Sequence, residues 1–269
     1  MTIVALPMYD WPEARADTDA EWQALRARLL AAGIEAPETL TRRNADLPAV
    51  SGGIRDREGR PIAPDPAALP PDAFDFQTLW KHPDLLLAQT CWGPMEKGLE
   101  SHVVLVGQPS YDGIEGGQGA LYSSAILMRR GGSESNVQSP ADGHAMLTLD
   151  LFRDKRLAYN SPDSMSGIIA LAGDLEAAGE SLEMFSGRIE TGAHRASIVA
   201  VAEGRADVCA VDCRSWHLAR RHEPRAADVA VVGWTARRKG LPFITSLRTP
   251  PAIVAKLRAV LAGLVSAKQ

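Results

Sequence analysis

The residues best placed to do chemistry are Asn160-Ser161-Pro162-Asp163-Ser164-Met165-Ser166-Gly167, a polar stretch between an apolar run and a helical pattern. Small and hydroxylated residues at a helix start leave backbone amides available, add hydroxyl donors and let an anion approach without steric conflict. The chemistry implied is the holding of an oxyanion by Ser164, Met165 and Ser166. The plainer reading makes Ser164 or Ser166 a helix cap, a common use of serine. Other polar residues at strand ends could converge on the same place: Gln89-Thr90-Cys91, Tyr122-Ser123-Ser124, His194 and Asp212. Asp212 would attract a ligand amine and repel extra negative charge, or it would cap a helix over Ser215 to Arg221. Ser164 or Cys91 could instead be a nucleophile with His194 as the candidate base, yet the chain has no G-x-S-x-G elbow.

These residues need strands and helices to position them, and the pattern supplies both. Thr2 to Met8 reads as a strand. Thr18-x-x-Glu21 reads as a capping box for a helix carrying Trp22, Leu25, Leu29 and Leu30 on one face and stopping at Gly33. Residues 44 to 76 contain Pro48, Pro61, Pro64, Pro66, Pro70 and Pro71, and predict a surface insertion unable to fill a ladder or a helix interior. Strands follow at Leu85 to Thr90, His102 to Val106, Ser123 to Met128, Arg156 to Asn160, Asp207 to Val211, Val229 to Gly233 and Phe243 to Thr245. Helices are expected after Ser161 up to Gly179, from Thr191-Gly192-Ala193-His194 to Gly204, and from Thr249-Pro250 through Ile253, Leu257, Val260, Leu261 and Leu264. Strands alternating with helices predict α/β layers with largely parallel sheets, which place ligands at the carboxyl ends of strands.

Composition narrows the function. With 269 residues, 45% hydrophobic and 23% charged, the chain has material for a folded core. A net charge of -4 leaves no excess of positive charge to neutralise a nucleic acid, so no nucleic-acid partner is expected. Cys91, Cys209 and Cys213 form no zinc or disulfide pattern, and no metal or cofactor is expected. His82, His102, His144, His217 and His222 show no metal-like spacing, and Arg220-Arg221 and Arg237-Arg238-Lys239 read as solvated faces. The tryptophans read as packing residues, although Trp11 and Trp92 flank segments that could meet a ligand. No apolar run approaches the roughly 18 residues of a membrane helix. Pro7 interrupts the first apolar stretch and no basic region precedes it, which predicts a cytoplasmic chain, or a periplasmic one if an export signal had been removed.

Five phrases carry a resemblance. They are Met8-Tyr9-Asp10-Trp11-Pro12; Leu86-Leu87-Ala88-Gln89-Thr90-Cys91; Tyr122-Ser123-Ser124-Ala125-Ile126; Leu157-Ala158-Tyr159 running on through Gly167; and Thr191 to Ser197 leading through Ala200 to Asp207 and on to Asp212. In order and spacing they resemble the phosphate/phosphonate substrate-binding proteins of ABC transporters. The resemblance implies a two-lobed type II periplasmic-binding-protein fold, each lobe a mostly parallel sheet flanked by helices, with two hinge crossings. One lobe would comprise 1–97 plus 212–269 and the other 98–211, with His102 to Val106 and Asp207 to Val211 as the crossings. Ligand would lie in the cleft, its oxygens held by Ser123, Ser124, Ser164 and Ser166, with an amine near Asp212 and with Tyr9 and His194 close by. A monomer delivering a small oxyanion to an ABC permease is expected. A cytosolic orphan sensor with the same cleft, or a hydrolase using Ser164 or Cys91, are the other readings.

Overall fold

Ile3, Val4 and Ala5 are all buried, Ile3 and Ala5 in one apolar layer and Val4 in another, the two-residue alternation that a strand imposes. The computed structural model describes residues 2–131 and 137–266. It places this strand at the edge of a four-stranded sheet ordered Ile3–Ala5, Leu85–Gln89, Phe243–Ser246, Val103–Gly107. The first pair is parallel and the other two are antiparallel. Helices Arg15–Ala31 and Pro251–Ser266 cover one face through Trp22, Leu25, Leu29, Leu257 and Leu261, with Ile253 and Val260 at the margin. The Leu264 side chain lies outside the described residues. Leu79 and Trp80 of helix Phe76–Lys81, with Met95, cover the other face.

The first helix does not begin with the expected capping box. Pro12 opens a 3-10 turn over Pro12–Ala14, a position that needs no amide N–H, and the α-helix follows from Arg15. Thr18 therefore lies inside the helix, where its hydroxyl donates to the Ala14 carbonyl at 3.2 Å.

The proline-rich segment is mostly irregular but does form a short ladder, Ile54–Arg55 against Pro61–Ala63, where proline is tolerated at an edge. Asn44, 2% exposed, pins it: the amide donates to the Pro70 carbonyl at 2.9 Å and the oxygen accepts from the Asp75 amide at 2.9 Å. A second pin is His82, 1% exposed, whose Nε2 lies 3.0 Å from the Pro48 carbonyl while Nδ1 accepts from the Asp84 amide at 3.1 Å. Acceptance at Nδ1 puts the hydrogen of the neutral ring on Nε2, so both contacts need an uncharged imidazole.

Burial holds the His82 pKa below its ordinary 6.5, and burial does the same to His194 and His217. Between the folded and unfolded values the unfolded chain binds more protons. Stability is therefore complete above about pH 6.5 and is lost as pH falls through the folded values. We expect the urea midpoint to drop between pH 7 and pH 5, and His82→Gln to flatten that slope. An unaltered slope in the variant would show that the His82 pin is not titrating.

The second sheet has five strands in the order Gly187–Glu190, Arg156–Tyr159, Val208–Asp212, Ser124–Arg129, Val229–Trp234. The first three are mutually parallel and the last two pairings are antiparallel. Phe152, Leu157, Leu171, Leu175, Phe185, Val208 and Val232 form its core with Ile126. Both large sheets are thus mixed, correcting the expectation of mostly parallel ones. Ser124–Arg129 and Phe243–Ser246 are buried through most or all of their length, and a strand covered on both faces reads as the same apolar run in either direction.

The chain divides into Met1–Pro109 with Leu241–Gln269, and Ser110–Gly240. These limits differ from the expected 97/98 and 211/212. Val103–Gly107 lies wholly in the first unit's sheet, where it pairs with Phe243–Ser246, and Val208–Asp212 is an interior strand of the second unit. Neither expected crossing strand leaves its unit, because apolar patterning places a strand without stating which sheet it joins.

Candidate functional site

Arg156–Tyr159 ends at Asn160, and the chain turns through Ser161-Pro162-Asp163 into a helix whose first turn is a π-turn, Met165–Ile169, continuing as an α-helix over Ala170–Ala177. Ser164 caps it. Its Oγ accepts from the Gly167 amide at 3.0 Å, while its carbonyl accepts from Ile168 at 3.3 Å and Ile169 at 3.1 Å. One acceptor serving two amides widens the first turn, and such π-turns recur at functional sites. Gly167 fits because it lacks a Cβ, which would stand 1.9 Å from Asn160 Oδ1.

Ser166, two residues after the cap, reaches across to the next parallel connection. Its Oγ lies 2.9 Å from His194 Nε2, at the start of helix His194–Ala202. The same nitrogen lies 3.4 Å from Asp212 Oδ2. Asp212 closes its strand and caps Cys213–His222, with Oδ1 accepting from the Ser215 amide at 2.9 Å. Across the ladder Asp212 stands opposite Ser124, whose amide donates to Thr235 Oγ1 at 2.8 Å. Ser123 is held through its backbone, donating to the Gly116 carbonyl at 2.7 Å and accepting from the Cys213 amide at 3.1 Å.

The second unit therefore brings together Ser123, Ser124, Ser164, Met165, Ser166, His194 and Asp212 through bonded or adjacent backbone. Three buried polar atoms of this set and its neighbours have no hydrogen-bond partner among the described residues: Ser124 Oγ, Asn160 Oδ1 and His194 Nδ1. Burial lowers the His194 pKa, opposed by the Asp212 carboxylate, so the ring is neutral at neutral pH. With Nε2 facing both Ser166 and the carboxylate, Nδ1 carries no orienting acid, the contact a Ser-His-Asp relay requires. Ser164 Oγ is used by the cap. The arrangement can hold and orient an anion, and the Ser166–His194 contact lacks the orienting acid on Nδ1 that a Ser-His-Asp relay has.

The remaining expected residues lie on the first unit. Gln89, Thr90 and Cys91 follow one another at the carboxyl end of Leu85–Gln89. Tyr9, 6% exposed, follows the neighbouring parallel strand Ile3–Ala5. The Gln89 carbonyl accepts from Trp80 Nε1 at 2.9 Å and the Thr90 amide donates to the Pro242 carbonyl at 3.0 Å, while Thr90 Oγ1 is buried with no partner among the described residues. Cys91 is half-buried before the short helix Trp92–Glu96. Burial pushes the Cys209 and Cys213 thiols up, leaving both as packing groups. Thr235 is a residue the sequence reading missed. Its signal was present, a hydroxyl straight after the apolar run Val229–Trp234, as Thr90 follows its own strand.

No curated protein matches the chain. Among solved structures it is similar to PhnD1 from Prochlorococcus marinus in complex with methylphosphonate, with 15% identity, TM-score 0.60, and 96% of this chain and 82% of that one covered. It is also similar to a binding protein component of an ABC phosphonate transporter from Pseudomonas aeruginosa, at 13% identity and TM-score 0.57, over 96% and 72% of the two chains. A histidine kinase sensor domain with similarity to periplasmic binding proteins shares 14% identity and TM-score 0.53 over 100% and 92%. At such identities the likeness is one of fold, an α/β periplasmic-binding-protein architecture with mixed sheets flanked by helices. Sequence adds what fold alone does not carry: residues 100–269, more than half the chain and the whole of the serine-bearing unit, match the family model described as ABC transporter, phosphonate, periplasmic substrate-binding protein, and the chain belongs to that family.

Proposed function

We propose that the Ser110–Gly240 unit holds the anionic head of a small phosphonate, or a phosphate-like relative, at the helix start of Ser164 to Gly167. The observation carrying this reading is the set of buried polar atoms beside that helix start with no hydrogen-bond partner among the described residues, Ser124 Oγ, Asn160 Oδ1 and His194 Nδ1. A helix N-terminus contributes about half a positive charge, and neutral hydroxyls add donors without the desolvation cost of a buried lysine or arginine. A hydroxyl and two acceptors suit a ligand that offers both oxygens and a hydrogen, as a singly protonated or amine-bearing phosphonate does. Within the first unit, Tyr9, Gln89, Thr90 and Cys91, which follow the parallel strands Ile3–Ala5 and Leu85–Gln89, are the residues proposed to contact ligand.

The family description supports a solute-binding rather than an enzymatic role, an ABC permease as partner and a periplasmic location. No helix among the described residues is long and apolar enough to cross a membrane. Hydrolysis finds no support in the geometry of His194, and the chain acts here as a monomer that returns its ligand unchanged.

A thermal-shift screen of methylphosphonate, 2-aminoethylphosphonate, phosphite and phosphate tests the proposal. Ligand at a hundred times its Kd should add about 2.7 kcal/mol of stability. Phosphorus NMR of the mixture should show each compound intact. The gap between the aminated and plain phosphonates reports on Asp212, whose Oδ1 is committed to the cap. No saturable shift from any of the four would rule the proposal out, and release of phosphate would make the chain an enzyme.

A further inference from the structure

A cavity of about 720 Å³ on the first unit lies outside the serine-rich site and draws on the proline-rich segment, which the phosphonate reading leaves without a role. One wall comes from Val50 to Ile62. The other comes from Lys81 and Pro83 before strand Leu85–Gln89, His102 before Val103–Gly107, and Arg248 after Phe243–Ser246. This is the end of Leu85–Gln89 opposite to Gln89-Thr90-Cys91.

The charges are unevenly matched. Asp56 and Glu58, the carboxylates in the lining, both pair with Arg60, at 2.7 Å and 2.9 Å. Asp56 is further occupied by the amides of Glu58 and Arg60. Arg55 and Lys81 donate only to carbonyls, Gly59 at 2.7 Å and Ile62 at 3.2 Å for the shortest contacts, and Arg57 and Arg248 make no side-chain hydrogen bond or ion pair among the described residues. Four cations on two facing walls thus have no carboxylate at ion-pair distance among the described residues, Asp75 acting on Lys81 only through its field, in a chain whose net charge is -4. Their mutual repulsion is relieved by a bound anion. No Phe, Tyr or Trp is among the described lining residues, and the one aromatic ring there is the His102 imidazole. Cations on both walls call for a ligand with more than one anionic group.

We propose that this cavity is a second anion site and takes a compact polyanion with two or more phosphoryl groups, of the diphosphate kind. The proposal stands independently of the phosphonate reading. Calorimetry of the full chain with inorganic pyrophosphate and with orthophosphate tests it. Pyrophosphate should bind saturably, at least tenfold more tightly than orthophosphate, and weaken steeply between 50 and 200 mM salt. Arg57→Ala combined with Arg248→Ala, both on exposed side chains, should weaken pyrophosphate at least tenfold and leave methylphosphonate binding unchanged. Absence of saturable pyrophosphate binding, or a salt-independent affinity, would overturn the proposal. So would an affinity that survives the double variant but falls in Ser124→Ala, which would place the anion at the serine site.

Discussion

Gly167→Ala should destabilise the chain and weaken phosphonate binding together. The added Cβ would meet Asn160 Oδ1 at 1.9 Å and Ser164 Oγ at 3.0 Å, the first well inside any non-bonded contact. Either the Asn160 side chain swings away, exposing its buried Oδ1, or the π-turn shifts, and overpacking of this sort costs about 1–3 kcal/mol. At roughly 2–4 °C per kcal/mol for a chain of this size, the melting temperature should fall by several degrees. Binding should fall more than tenfold, since the same displacement moves Ser164 and Ser166. Adding Asn160→Gly removes the obstructing oxygen and should restore most of the stability. A Gly167→Ala protein that melts and binds like the parent would show that the close approach constrains nothing.

Ser124 and Ser164 should separate stability from affinity. The Ser124 hydroxyl is buried and has no partner among the described residues, so Ser124→Ala removes a donor the fold does not use. Loss of a hydrogen bond to a charged ligand group costs about 1.5–3 kcal/mol, roughly ten- to a hundredfold in Kd. Stability should change little. Ser164 is bound to the Gly167 amide, and Ser164→Ala should cost about 1 kcal/mol of stability as a lost cap. Calorimetry and urea titration on both variants decide the matter. Affinities within a factor of two of the parent in both would leave these serines as structural groups only.

Local features of this chain were legible in the sequence and directional ones were not. Leu85–Gln89, Val208–Asp212 and Val229–Trp234 are apolar runs flanked by polar residues, and each stands where expected. Gly187–Glu190 was missed because Gly-Arg-Ile-Glu is an edge strand, half-exposed and too short for alternation to declare itself. Strand direction depends on connections that hydropathy does not encode, which is why the sheets read as parallel. At the site, Ser164 through Ser166 were legible as a helix start, and Asp212 as either a cap or a ligand group. That His194 would use one nitrogen for both Ser166 and Asp212 was not, because residue types carry no ring orientation. The π-turn escaped for a similar reason: it is one residue of excess in a pattern that otherwise reads as α.

The sheet order of the first unit also sets a timetable for synthesis. Phe243–Ser246 lies between Leu85–Gln89 and Val103–Gly107, so until it emerges from the ribosome Leu85–Gln89 is paired only with Ile3–Ala5 and Val103–Gly107 has no partner strand among the described residues. The second unit, by contrast, is contiguous, and its ends already meet where Gly240 lies against the Tyr111 ring. At about 5–20 residues per second, the nascent first unit waits on the order of ten seconds with two apolar strand edges unpaired. The serine-bearing unit is complete before that wait ends, and the interval is the one in which a nascent chain of this design depends most on chaperones.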